Sequence, residues 1–199
     1  MKCKKFFAAA AACLMVAGFA ACGNEPTPAN PDEKVFQIGI CQLVEHPALD
    51  EATRGFQEFL TEKLGDRVQF SVQNAQGEQT NCTTIVNQFV AAKVDLIMAN
   101  ATNAVKAARE ATSDIPIVGT SVTDYVASGL VASNEAPGAN VTGASDMNPV
   151  NVQVDLMKTL CPTVKTVGIV INSGEENSAI QAEEAKTAFE AAGFSIKIY

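Results

Sequence analysis

Beyond residue 34, short apolar runs alternate with stretches whose apolar residues recur at helical spacing. Val35–Leu43 is rich in branched residues and reads as a strand. Pro47–Leu64 repeats apolar residues at Leu49, Ala52, Phe56, Leu60 and Leu64, which places them on one buried helix face. Arg67–Gln73 alternates Val68, Phe70 and Val72 as a second strand, and Glu78–Lys93 is a helix with Ile85, Val86, Phe89 and Val90 inward. Val94–Met98 and Ile115–Gly119 are short continuous apolar runs, as strands covered on both faces should be. The Ala-rich Thr102–Ala111 lies between them as a helix. Strands separated by helices of this length imply βαβ units, a parallel sheet and helices on both of its faces.

The opening pattern then recurs. Gln37-Ile38-Gly39-Ile40 leads through a loop with Glu45 into a helix ending at Gly65; Thr166-Val167-Gly168-Ile169 leads through a loop with Glu175 into a helix ending at Gly193, before a strand in Phe194–Tyr199. Ser133–Asn148 reads as irregular, and two similar lobes are expected to join near Gly143–Met147. The expected architecture is α/β with two Rossmann-like lobes, the first over 35–145 and a partial second over 146–199. That second lobe holds a leading helix, Pro149–Leu160, and one strand–helix–strand unit. Roughly a hundred residues of an ordinary domain are expected to be missing from it.

The amino-terminal stretch is of another kind. Lys2, Lys4 and Lys5 precede an uncharged Ala-rich run from Phe6 to Ala21, the pattern of an export signal over 1–21. The run is shorter than the ~20 residues that span a bilayer. It ends at Phe19-Ala20-Ala21-Cys22-Gly23, which resembles a bacterial lipobox with Cys22 as the lipid-bearing residue. Residues 22–34 then form a tether, with Pro26, Pro28 and Pro31 and no large apolar residue over 23–32. The expected location is extracytoplasmic, lipid-anchored to the cell membrane.

Composition narrows the function. Of 199 residues, 47% are apolar and 18% charged, enough to bury a core; the net charge is −8, with one His and no Trp. Removing residues 1–21 takes away three lysines and no acidic residue, leaving 11 Lys+Arg against 22 Asp+Glu. Such an acidic chain does not wrap a phosphate backbone, so no nucleic-acid partner is expected. A single histidine argues against a His-based metal site or a Ser–His–Asp hydrolase, so no metal, cofactor or catalytic residue is assigned. His46, before Pro47, reads as a loop or capping residue. Cys41, Cys82 and Cys161 in the folded part are odd in number with no close pair in sequence, and Cys41 reads as a small buried hydrophobe.

Ligands of open parallel sheets bind beyond the carboxyl ends of the strands. There the chain places Glu45 after the first strand, Thr102 and Asn103 after the third, and Thr120, Ser121, Thr123 and Asp124 after the fourth. Asp146 follows at the lobe junction, and Asn172, Ser173 and Glu175 after the second-lobe strand. These hydroxyls, amides and carboxylates, without a basic cluster or Gly-rich cradle, suit a small zwitterion. Thr102 and Asn103 open a helix, where free N–H groups favour a carboxylate; Asp124, or next Asp146, would answer an ammonium.

Several of these segments resemble the solute-binding proteins of ABC transporters, in particular the tryptophan-type (TrpX-like) lipoproteins. The matching stretches include Val44-Glu45-His46-Pro47-Ala48-Leu49-Asp50, Gln73-Asn74-Ala75-Gln76-Gly77, Lys93-Val94-Asp95-Leu96-Ile97, Ala101-Thr102-Asn103-Ala104, Gly138-Ala139-Asn140-Val141-Thr142-Gly143, Ser145-Asp146-Met147 and Asn172-Ser173. The chain has Asn103 and Tyr125 where that family more often has proline. The resemblance implies a type I periplasmic-binding-protein fold, an amino acid, plausibly aromatic, closed between two lobes, and delivery to an ABC permease. A lipid-anchored sensor with the same clamshell, or a binder of a sugar or nucleoside, is the alternative.

Overall fold

The computed structural model describes residues 33–199. The expected signal over 1–21, the lipidation at Cys22 and the tether as far as residue 32 lie outside the described residues.

The first strand, β1 (Phe36–Gln42), leads into α1 (Pro47–Leu64). His46 caps this helix, its Nδ1 accepting from the Ala48 N–H at 3.2 Å, and Pro47 fits the first turn because no intrahelical partner awaits an N–H there. There follow β2 (Val68–Asn74), α2 (Gln79–Ala92), β3 (Leu96–Asn100), α3 (Thr102–Ala111), β4 (Ile117–Val122) and β5 (Val141–Ser145). These five strands form one parallel sheet in the order β2-β1-β3-β4-β5.

Alternation along β1 sorts the core into two layers. Ile38 and Ile40 face α1 and pack with Phe56, Leu60, Leu64 and Met98, whereas Cys41 belongs with Val86, Phe89, Ile97, Val105 and Ile117 on the side of α2 and α3. Ile40, Ile97 and Ile117 are fully buried, each stabilising the sheet by roughly 1.5–3 kcal/mol.

Two expected strands start later than hydropathy suggests. Lys93 closes α2 in the left-handed conformation, so Val94 and Asp95 complete a turn and β3 begins at Leu96. It then runs on to Asn100, and β4 to Val122, because polar residues cap the carboxyl ends of otherwise apolar strands. The stretch expected to be irregular contains β5, which pairs with β4 from Ile117↔Val141 to Gly119↔Gly143 and, past a bulge, at Val122↔Ser145. Only Val141 of this edge strand is buried, so it carries no apolar alternation; backbone pairing holds it.

Past the first sheet come α4 (Val150–Leu160), β6 (Thr166–Ile169), α5 (Glu176–Ala191) and β7 (Ser195–Ile198). β6 and β7 pair in parallel, and Val150, Val154 and Phe189 form a small core with Val167, Phe194 and Ile196 on one face. Cys41 is buried as expected, but the fold brings it against Cys82, making a close pair that sequence spacing does not reveal.

Candidate ligand-binding cleft

Because all strands of the first sheet are parallel, the carboxyl ends of β1, β3 and β4 open toward the amino ends of α1, α2 and α3. A buried polar network fixes this rim. Gln42 donates to Asp50 Oδ1 at 2.6 Å and accepts from Thr53 Oγ1 at 2.7 Å; Asn100 Nδ2 donates to Thr53 Oγ1 at 3.0 Å and to the Leu49 carbonyl at 2.8 Å. Asn100 is fully buried, yet its Oδ1 has no partner, nor has the Oγ1 of Thr102. Buried polar atoms are ordinarily satisfied, so two orphans at the mouth of one helix mark a place built to meet something else.

The backbone points the same way. Between the two orphans Ala101 holds φ at 93°, and Ser121 on the neighbouring strand holds φ at 55°. Non-glycine residues rarely adopt such values, and strain of this kind clusters at ligand sites. The Ala101 N–H donates to the Thr120 carbonyl at 3.0 Å, tying the ends of β3 and β4 together. Gln79, in the first turn of α2, donates to the Asn103 carbonyl at 3.4 Å while its buried Oε1 remains unpartnered.

The expected site residues divide in two. Thr102, Asn103, Thr120, Ser121, Thr123 and Asp124 stand together at the adjoining ends of β3 and β4. Asp124 Oδ1 accepts from the Val126 and Ala127 N–H groups at 2.8 and 2.9 Å, so it shapes its own turn. Glu45 is exposed ahead of α1. Asp146 is exposed beyond β5, its N–H donating to the Val122 carbonyl at 3.0 Å. Its charge lies near Tyr125: burial first, then Asp146, pushes the Tyr125 phenol up to about 12.

The second lobe faces these residues with the amino end of α5. Asn172 donates to Glu175 Oε1 at 2.9 Å and accepts from the Gly174 N–H at 3.0 Å, forming a closed turn, with Ser173 exposed at its tip. From α5, Gln181 Nε2 donates to the buried Thr123 Oγ1 at 2.9 Å and Asn177 Nδ2 at 3.4 Å, while Lys106 pairs with Glu176 at 2.6 Å. Glu176 holds the Lys106 ammonium above its ordinary range. Beside this junction a cavity of about 310 Å³ is lined by Met147, Gln153, Ile171, Glu175, Asn177 and Gln181 among others. Sequence reasoning missed Gln79, Asn177 and Gln181. The i,i+4 spacing of the last two on the first turns of a helix was the available signal. The cleft is lined mainly by neutral hydrogen-bonding groups, with the carboxylates of Asp124 and Glu175 among them, and among the described residues no cluster of His, Cys, Asp and Glu could hold a metal ion.

Two parallel α/β sheets meeting across a polar cleft define the type I class of two-lobed solute-binding folds. Residues 37–199 match the family described as ABC transporter substrate binding protein, and the chain belongs to that family. A tyrosine-binding protein of Clostridioides difficile (strain R20291) is 46% identical over 154 residues, covering 76% of this chain and 45% of the relative. A Streptococcus pneumoniae ABC domain solved in complex with L-Trp superposes with a TM-score of 0.80 at 39% identity, over 83% of this chain and 57% of the other. The ligand-free, open structure of an adhesive substrate-binding protein from Clostridium difficile, at 40% identity and the same coverages, gives 0.66. The chain therefore spans about half the length of these relatives.

Proposed function

We propose that the protein is the extracytoplasmic solute-binding component of an ABC transporter, taking an aromatic amino acid into the interlobe cleft for delivery to a permease. The observation that carries this reading is the pair of orphaned polar atoms, Asn100 Oδ1 and Thr102 Oγ1, at the start of α3. Free N–H groups of a helix amino end and a hydroxyl suit a carboxylate, and the unpaired amide oxygen suits an ammonium. Asp124, whose Oδ1 is held by two backbone N–H groups, presents its carboxylate charge as the ammonium's counter-ion. Thr120, Ser121, Asn172, Ser173 and Glu175 supply further polar groups of the two walls, with Glu45 and Asp146 at the margins. The tyrosine-binding and L-Trp-bound relatives support an aromatic side chain. Anchoring would come from a lipid on Cys22, and among the described residues no helix is long and apolar enough to cross a membrane.

Calorimetric titration with L-Trp, L-Tyr, L-Phe, L-Leu, a hexose and a nucleoside tests the substrate class. Binding by an aromatic amino acid is expected; binding by the sugar or nucleoside alone overturns the reading. Fatty-acid labelling that survives Cys22→Ser would remove the anchor.

A further inference from the structure

Cys41 and Cys82 are used by nothing in the cleft, yet the fold drives them together. Gly39 and Cys41 share the β1 face that α2 covers, since they lie two residues apart. Phe89 and Cys82 lie seven residues apart on α2, two turns along one face. A Cβ added at Gly39 would sit 2.6 Å from the Phe89 ring, so the missing side chain lets α2 settle directly onto the strand. With the helix running antiparallel to the strand, one step from this contact toward the cleft reaches Cys41 on β1 and Cys82 on α2. Both thiols are free and fully buried in the same cluster, close enough for each to perturb the other's titration.

We propose that Cys41 and Cys82 form a dithiol–disulfide pair that cross-links β1 to α2 when the lobe folds in an oxidising compartment. The compartment rests on the export proposed above; the pairing itself rests on the packing. Either cysteine can begin the exchange while the chain is still open, and the steps are the same with the two interchanged. The Cys82 thiolate attacks a small disulfide, breaking its S–S bond and expelling one thiolate. Cys41 then loses its proton to that thiolate and attacks Cys82 Sγ, expelling the second. Two protein thiols and one small disulfide become one protein disulfide and two small thiols, with two electrons passing to the small disulfide. Since both sulfurs are buried in the folded lobe, the exchange takes place before the core closes.

The full chain, unfolded under reducing conditions, is refolded in a mixture of reduced and oxidised glutathione, alkylated in denaturant and mapped by peptide mass. The expected result is a Cys41–Cys82 linked peptide lighter by two hydrogens, reversed by dithiothreitol, with Cys161 alkylated. Against the reduced protein, closing this loop raises the unfolding midpoint by on the order of 10 °C. Full alkylation of both residues, or linkage of either to Cys161 in comparable yield, overturns the pairing. Because this readout uses neither cells nor ligand, it stands or falls separately from the transport reading. The cysteines of protein recovered from the cell exterior then test the compartment.

Discussion

The hydroxyl of Thr102 is sealed from water and bonded to nothing, which costs about 1–3 kcal/mol in the ligand-free fold. Thr102→Val replaces that hydroxyl with a methyl of the same shape. The ligand-free protein should then melt a few degrees higher, while amino-acid affinity falls by about tenfold for the lost hydrogen bond. A lower melting point would mean that the hydroxyl has a structural partner. Tyr125 gives a pH signature instead. Its phenol titrates near 12 in the fold, against about 10 when unfolded, so between these values the folded state retains a proton that the unfolded state has released. The associated stability is fully present below pH ~10 and is lost as pH rises toward 12, on the order of 2 kcal/mol in all. Urea unfolding at pH 9 and 11.5 should show this loss, and Tyr125→Phe should remove that part of it.

Among elements, β5 depends on what its neighbours lack. A Cβ at Gly143 would collide with the Gly119 carbonyl oxygen and the Tyr125 hydroxyl, and the carbonyl cannot move without breaking the β4–β5 ladder. Gly143→Ala should lower the melting temperature by on the order of 10 °C, within the range of severe packing mutations. Gly119→Ala, whose obstacles are the side-chain ends of Tyr125 and Val105, should cost less. Thermal unfolding followed by circular dichroism ranks the two. The same strand marks where sequence patterns stop being informative. α1 and α3 start and end where spacing places them, because one apolar face, joined in α1 by the His46 cap, is a local feature. β5 has small residues and one buried Val, and its existence depends on β4, a partner that periodicity cannot see. Likewise the Thr102–Asp124 segments of the rim follow from the rule of strand ends, whereas Gln79 became visible only when α2 was placed beside α3, and the Cys41–Cys82 pair only when Gly39 let α2 approach.

At the scale of the whole molecule, the contacts between the two sheets are polar and few. Thr123 is buried and accepts two side-chain amides from α5, whereas Lys106 and Glu176 pair in solvent. This arrangement superposes better on the L-Trp complex than on the open, ligand-free relative at nearly equal identity. Bonds made only when the lobes meet add to ligand affinity by raising the closed population. The buried amide contact should therefore matter more than the exposed ion pair. Gln181→Leu leaves the Thr123 hydroxyl only the longer Asn177 bond and should weaken amino-acid binding about tenfold, mainly through faster release, with the radius of gyration of the ligand-free protein in X-ray scattering rising toward an open form. Glu176→Gln should change affinity less than about fivefold, and the difference should vanish in 0.5 M salt, where the Debye length is only a few ångströms. If Glu176→Gln proves the more damaging and keeps its effect in high salt, closure is governed by the Lys106–Glu176 pair, and the amides of α5 are bystanders.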